Sequence, residues 1–204
     1  MEETKLQNLI TNLWDWFEDH LELLEDVVAN NGHPHTEFVI EELNKHVLSI
    51  GKLKWELRNP AESHFSLLLS PNNDRDLLAI TKNIMRQAPE LSNWTFYSAI
   101  QPTGKLTTAV YDQEMDAQEV DATSWWAVLI ETNEDRFELF IEADNLSYLD
   151  EDTQMIAADL ILTALLGEEN KIKHLAGMEL VDSFVPEQVA NKFLLAELPK
   201  RILA

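Results

Sequence analysis

The segment HPHTEF holds the residues of the chain best suited to bind a metal ion. His33 and His35 lie two positions apart, and Glu37 follows them. Neutral imidazole nitrogens and a carboxylate are common ligands of first-row transition metals. The spacing is not that of an HExxH zinc protease, and the other histidines are scattered singly along the chain. The three residues are therefore candidates for a metal site, and the alternative is a polar loop between two helices.

A second chemically suggestive segment is DQEMDAQEVD, which alternates carboxylates with other residues. Its acids are Asp112, Glu114, Asp116, Glu119 and Asp121. The segment lacks the turn glycine and the closing glutamate of an EF-hand calcium loop. The pattern therefore predicts an acidic hairpin or loop with a solvated edge. Carboxylate pairs elsewhere among the 37 Asp and Glu residues are too numerous for sequence spacing to identify a general acid.

Sequence signatures of nucleophilic or nucleotide-dependent catalysis are missing. The chain has no cysteine, which excludes thiol nucleophiles and cysteine-ligated metals. It also lacks GxSxG, GxxxxGK[ST] and GxGxxG. We therefore expect no catalytic residue and no cofactor. The alternative is an enzyme or small-ligand binder of unrecognised type, which would use the His33/His35/Glu37 segment or a carboxylate pair in a pocket.

Three aromatic residues lie within four positions in QAPELSNWTFYSAIQP. Period-two alternation places Trp94 and Phe96 on one face of a strand and Tyr97 on the other. Pro89 ends the preceding helix and turns the chain back over the first face. We therefore expect Trp94 and Phe96 to hold helix 74–88 against the sheet, and Tyr97 to be a candidate surface contact.

A pair of adjacent tryptophans begins a later strand, SWWAVLIET. Trp125 and Trp126 would point to opposite faces of that strand, so one of them leaves the face shared by Val128 and Ile130. Either both faces of the sheet are covered, or one tryptophan is a partly exposed platform. Exposed tryptophan and tyrosine side chains are typical anchors of protein interfaces.

The formal net charge of −22, from 15 basic and 37 acidic residues, is the most extreme global property of the chain. Such a charge disfavours nucleic acid and anionic membranes, whose binding depends on basic groups, and it can steer a basic partner. Acidic residues also follow one face of the first helix. The candidate residues for binding a basic protein partner are Tyr97, Trp125, Asp15, Asp19, Glu22, Asp116 and Glu119.

Hydrophobic periodicity predicts an α+β fold. Apolar residues at three- and four-residue steps indicate helices over 4–29 and from Thr36 to Gly51, which form an N-terminal amphipathic pair. Residues 52–100 and 124–182 both read strand–strand–helix–strand, and their apolar/polar alternation favours mostly antiparallel sheets. A closing helix begins at Pro186.

This pattern predicts a helical pair over 1–50 packed on an α+β domain over 51–204, in one globular unit with a possible internal repeat. The N-terminus has no basic region or continuous apolar core of a signal peptide. No stretch approaches about 18 uninterrupted apolar residues. We therefore expect a soluble cytoplasmic protein.

The stretch APELSNWTFYSAIQP resembles part of an uncharacterised family of bacterial proteins with no assigned activity. The chain is similar to that family in its LWDWFEDH helix, in a strand ending in SP before a helix, in the AP-x-L-x-x-W-x-F step and in a helix ending LLGEE, here Leu165 to Glu169. The resemblance extends over most of the chain. It implies a bacterial, cytoplasmic α+β protein, and it implies no catalytic residue or cofactor.

Charge and motif content together favour a non-enzymatic, acidic protein-interaction module that binds a basic protein. One concrete form is an immunity- or inhibitor-like protein that neutralises a basic toxin domain. A further alternative is a structural, homo-oligomeric protein whose interface is the helix face of Trp14, Trp16 and Phe17. The oligomeric state stays open at this point.

Overall fold

The computed structural model describes residues 2–30, 32–61, 64–132 and 136–203. Contacts between Cα atoms divide the chain into two compact units, residues 1–100 and 101–204. The elements of the first unit are α1 (Glu2–Asp19), α2 (Leu21–Ala29), α3 (Thr36–Ile50), β1 (Lys54–Ala61), β2 (His64–Ser70), α4 (Arg75–Arg86) and β3 (Trp94–Tyr97). Those of the second are β4 (Thr107–Tyr111), β5 (Ala117–Asp121), β6 (Trp126–Glu131), β7 (Phe137–Glu142), α5 (Glu151–Leu166), α6 (Glu168–His174), β8 (Leu175–Val181), α7 (Pro186–Val189), β9 (Phe193–Leu194), a 3-10 turn (Leu195–Glu197) and α8 (Leu198–Ile202).

The N-terminal helical period of the first unit forms two helices rather than one. The backbone leaves the helical conformation at His20, where φ is −116° and ψ is 19°. A ring nitrogen of His20, Nδ1, lies 2.9 Å from the carbonyl oxygen of Trp16 at this point. With α3, the predicted helical pair is therefore a set of three helices.

The sheet of the first unit has the strand order β1-β2-β3. β1 and β2 form an antiparallel hairpin, and β2 pairs with β3 in parallel after the crossover through α4. The side chains of Phe65, Leu67 and Leu69 point from β2 into the core, as their alternation predicts. The core of this unit also contains buried residues of the helices, namely Ile10, Leu13, Trp14, Phe17, Leu24, Val39, Leu43, Val47 and Ile84.

The second unit repeats this order of elements and pairings. β6 and β7 form an antiparallel hairpin, and β7 pairs with β8 in parallel after α5 and α6. A separate two-stranded sheet, β4-β5, and the C-terminal segment are added to this arrangement. The largest buried side chains of its core are Trp125, Leu139, Ile141 and Leu146.

The C-terminal segment corrects one expectation. We expected a single helix from Pro186 onward, but α7 ends at Val189 and β9 follows it. β9 pairs antiparallel with β6, and the backbone N–H of Leu195 donates to the carbonyl of Trp125 at 2.9 Å. Phe193 and Leu195 are buried in the core by this pairing. The extended backbone of Phe193 and Leu194 pairs with Ala127 and Trp126 of β6, which a continuous helix could not do.

The fold class is confirmed: the protein is α+β, with mostly antiparallel sheets built from two strand–strand–helix–strand units, N-terminal helices and a C-terminal helix. The contacts do not follow the expected boundary at residue 50. They group the N-terminal helices with β1, β2 and β3, because the helices supply much of the core that covers this sheet. No helix in the described ranges is both long and apolar enough to cross a membrane.

Candidate interaction surfaces

Of the predicted metal ligands, His33 and His35 lie in the turn before α3 and Glu37 lies in the first turn of that helix. The rings of His33 and His35 are 5.6 Å apart, and the Nδ1 atom of His33 accepts a hydrogen bond from the backbone N–H of His35 at 3.3 Å. Nothing in the described part of the chain groups three or more His, Cys, Asp or Glu side chains for a metal ion. The structure therefore brings the two imidazoles together without adding Glu37 as a third ligand.

The predicted acidic stripe lies on α1 and α2. Asp15 and Asp19 are exposed near the end of α1, and Glu22 is exposed in the first turn of α2. No lysine or arginine of the described residues forms an ion pair with any of these three carboxylates. Their negative charges are therefore exposed to solvent, with no lysine or arginine of the described ranges to neutralise them.

The acidic segment of the second unit is a hairpin, as expected. The side chain of Asp112 shapes its turn: one carboxylate oxygen accepts from the backbone N–H groups of Glu114 and Asp116, and the other accepts from the amide of Gln118. These hydrogen bonds, that from the Asp116 backbone foremost, lower the pKa of Asp112. Asp116 and Glu119 are exposed on this hairpin.

The structure decides between the two adjacent tryptophans, and Trp125 is not a surface residue. Its side chain is fully buried, and its indole N–H donates to the side-chain oxygen of Asn145 at 2.7 Å. The expectation that Trp125 contacts a partner is therefore wrong. Trp126 is half-buried, and the Nζ atom of Lys192 lies 4.5 Å from the centre of its ring.

The aromatic residues of β3 pack on α1 and share a core cluster with Ile84 of α4. Trp94 and Phe96 make edge-to-face contacts with Phe17 of α1, with ring centres 4.9 and 5.7 Å apart. Trp14 of α1 also contacts helix α4, because its indole N–H donates to the carbonyl of Ile84 at 3.0 Å. Tyr97 is half-buried and keeps part of its surface accessible.

The helix face suggested for self-association is largely buried in the same aromatic cluster. Trp14 and Phe17 are buried in the core of their own unit. The ring of Trp16 is half-buried and stacks between His20 and His46, at 4.9 and 5.4 Å. That expectation is wrong because these rings already have partners within the unit.

Helix α3 exposes two large apolar side chains that we expected to be buried. Phe38 and Ile40 are each 42% exposed, whereas Val39 between them is buried. Three consecutive residues span more than half of a helical turn, so they cannot all face one core. The sequence contains this signal in the run FVI.

A groove lies beside Ile40, between α2, α3 and the first strand of the sheet. Its volume is about 430 Å³. Trp55 stands in its wall and donates from its indole N–H to the side-chain oxygen of Asn44 at 2.9 Å. The groove is lined by Val27, Val28, Val39, Ile40, Trp55, Glu56, Leu57 and Asn59.

A groove of about 370 Å³ in the second unit lies between α5 and β8. Its wall combines Met155 and Met178 with the carboxylates of Glu151, Glu179 and Asp182. Both grooves therefore lie beside a strand at the edge of its sheet.

Comparison with known proteins gives no relative from which a role could be transferred. No protein-family model, no curated protein and no solved structure matches the chain.

Proposed function

We propose that the protein is a non-enzymatic, acidic interaction module that binds a basic protein partner. The observation that carries this proposal is the group of exposed carboxylates of Asp15, Asp19 and Glu22, which no lysine or arginine of the described residues neutralises. A basic surface can supply the missing counter-charges. The site belongs to a chain whose net charge is −22.

Electrostatics explain why such a module is effective. Complementary charge steers the encounter of two proteins and raises the association rate by orders of magnitude at low salt. An immunity- or inhibitor-like protein that neutralises a basic toxin domain is the form of this function that benefits most, because it must intercept its target quickly. The exposed acids Asp116 and Glu119 on the β4–β5 hairpin add to the same negative field.

The test is a charge-reversal experiment on the purified protein and the partner that it captures. The variant carries Asp15→Lys, Asp19→Lys and Glu22→Lys. Its control carries Glu131→Lys, Asp144→Lys and Glu187→Lys, which reverse exposed acids of the second unit and change the net charge equally. Stopped-flow association is measured with the same partner at low and high salt.

We expect a basic partner whose association rate falls at least about tenfold in the first variant and much less in the control. The difference should shrink at high salt, because screening weakens exposed charges. An acidic partner, or a rate that both variants lower equally, would contradict the proposal.

A further inference from the structure

We infer that the free edge of β1 and its adjoining groove form a strand-addition site for an extended segment of the partner, with large apolar side chains and flanking Lys or Arg residues. This inference rests on the proposed function and names where and how the partner would bind. In strand addition, main-chain hydrogen bonds supply affinity and side-chain pockets supply specificity.

Over residues 54–58, the backbone of β1 pairs with β2 on one side only. Among the described strands, β1 pairs with β2 alone, so one of its edges has no strand partner. In an antiparallel strand of this kind, every second residue directs its N–H and C=O groups away from the existing neighbour. An edge of this length is a template for another extended chain.

The second unit contains a strand pairing of the kind inferred for β1. In the repeated strand–strand–helix–strand arrangement, β6 takes the place that β1 takes in the first unit. At the outer edge of β6, β9 pairs antiparallel with Trp126 and Ala127 and buries Phe193 in the core. The chain itself thus shows that an extended Phe-Leu segment fits the outer edge of this strand position.

An apolar groove lies beside this edge of β1. Trp55 and Leu57 of β1 are half-buried and line it together with Val27 and Val28 of α2. Ile40 is 42% exposed at the same groove. An accessible apolar groove therefore lies beside β1.

The charge around the groove favours a segment whose apolar residues are flanked by lysine or arginine. Helices α2 and α3, which border the groove, carry Glu22, Glu25, Asp26, Glu37, Glu41 and Glu42. Their single lysine, Lys45, is already bonded to Glu42 at 3.0 Å. The adjoining β1 adds Lys54, Glu56 and Arg58, and Arg58 is bonded to Glu56. Carboxylates therefore still outnumber cations around the groove, and lysine or arginine residues beside the apolar side chains of an incoming segment would meet this excess.

The experiment uses the full chain and a fluorescent peptide probe, acetyl-KKFLLKK-amide. It takes the Lys-Phe-Leu-Leu of residues 192–195 and adds basic flanks. Ile40→Lys places a repelling cation at the groove. Leu48→Lys is the matched control, because Leu48 is an exposed apolar residue on the same helix and is absent from the groove lining. Circular dichroism should show that both variants keep their helices.

We expect saturable binding of the probe that Ile40→Lys weakens at least about tenfold and that Leu48→Lys changes by less than about twofold. The probe KKSSSKK has the same charge without the apolar residues and should bind much more weakly. No saturable binding below about 1 mM, or an equal effect of the two variants, would overturn the inference.

Backbone pairing is tested separately with N-methylated probes. Methylation of alternate amides blocks one edge of an extended peptide, so one methylation register should abolish binding and the other should retain it. Amides of β1 should also exchange more slowly in the complex. Loss of binding in both registers, or in neither, would exclude strand addition.

These outcomes are distinguishable from failure of the proposed function. If the Asp15, Asp19 and Glu22 variant slows association with the basic partner but Ile40→Lys has no specific effect, the partner binds elsewhere on an acidic surface. If both tests fail, the protein does not bind basic proteins in the way proposed.

Discussion

The two units share a topology but bury their crossover helices differently. Helix α4 buries three of its 12 residues, whereas α5 buries eight of its 16. Helix α5 packs against β4 and α8 as well as joining two strands of its own sheet. Each helix begins with an aspartate, Asp74 or Asp150, that accepts hydrogen bonds from the first turn. The same N-terminal capping by aspartate therefore occurs in a surface helix that packs on one side and in a helix that is covered on several sides.

The second difference lies at the outer edge of the first strand in each unit. In the described part of the chain, β9 pairs with Trp126 and Ala127 of β6, whereas no strand pairs with the outer edge of β1. The additional segments, rather than the shared core, therefore decide which edge is accessible. The second unit therefore satisfies the backbone groups of β6 at Trp126 and Ala127, at an edge where β1 has no strand partner among the described residues.

The largest expected effect compares the buried tryptophans of the two units. Trp94 donates from its indole N–H to Glu25 at 3.0 Å, and Trp125 donates to Asn145 at 2.7 Å. Trp94→Ala and Trp125→Ala should each lower the free energy of unfolding by about 3–5 kcal/mol, because each leaves a large cavity in its core. Urea unfolding measures both.

Trp126→Ala is the control for this comparison, because its ring is only half-buried. It should cost clearly less than Trp125→Ala. Equal losses for the two adjacent tryptophans would mean that Trp125 is not the core residue of this pair.

A somewhat smaller effect is expected when the cover of β6 is weakened. Phe193→Ala removes a buried ring from β9 and should lower the free energy of unfolding by about 3 kcal/mol. It should also speed the hydrogen exchange of amides in β6, since β9 would cover that edge less tightly. Phe38→Ala on α3 removes a ring that is 42% exposed and should cost less than about 1 kcal/mol. Unchanged exchange in β6 would contradict the role of β9 as its cover.

These expectations also show what the sequence could and could not predict. The helices and hairpins were predictable because their apolar periodicity is local. The break at His20 and the strand at Phe193 were not. Phe193 and Leu195 acquire their conformation from pairing with β6, which is more than 60 residues away in the chain. A helical pattern in the sequence contains no record of that distant partner.

The candidate surfaces divide in the same way. Exposure of Asp15, Asp19 and Glu22 followed from their place on the polar side of a helical pattern. Trp125 was misassigned because the core face of β6 is the one that carries Ala127 and Leu129, which Trp125 shares, and not the face of Ile130, which is exposed. The groove beside β1 was missed because it is formed by three elements, although the exposed Phe38 and Ile40 were signalled by the run FVI.

A still smaller effect separates the units by pH. Burial lowers the pKa of His46 below its usual 6.5, and this outweighs the opposing attraction of Glu42, while Lys45 and His20 lower it further. Because the folded state disfavours the charged imidazole, the stability from this site is complete above pH 6.5. It is lost as the pH falls through the lower folded-state pKa.

In the second unit, hydrogen bonds from Thr153, its side chain foremost, lower the pKa of Asp150 below 3.8. Its contribution to stability is therefore complete above pH 3.8 and is lost only as the pH falls through the lower folded-state pKa. Unfolding midpoints measured against pH should show that His46→Gln flattens the dependence just below pH 6.5. Asp150→Asn should flatten it only below pH 3.8. Identical profiles for the two variants would contradict this separation.

The smallest expected effect tests whether the cover of β6 includes a cation–π contact. Lys192 precedes β9, and its Nζ atom lies 4.5 Å from the centre of the Trp126 ring. A double-mutant cycle with Lys192→Gln and Trp126→Leu should give a coupling energy of about 0.5 kcal/mol, since the lysine is exposed to solvent. Lys200→Gln removes another exposed lysine and should show no coupling with Trp126→Leu. Coupling confined to Lys192 would show that its cation–π contact with Trp126 helps to attach the β9 segment to β6. No coupling would mean that the contact adds nothing to the backbone pairing and the burial of Phe193.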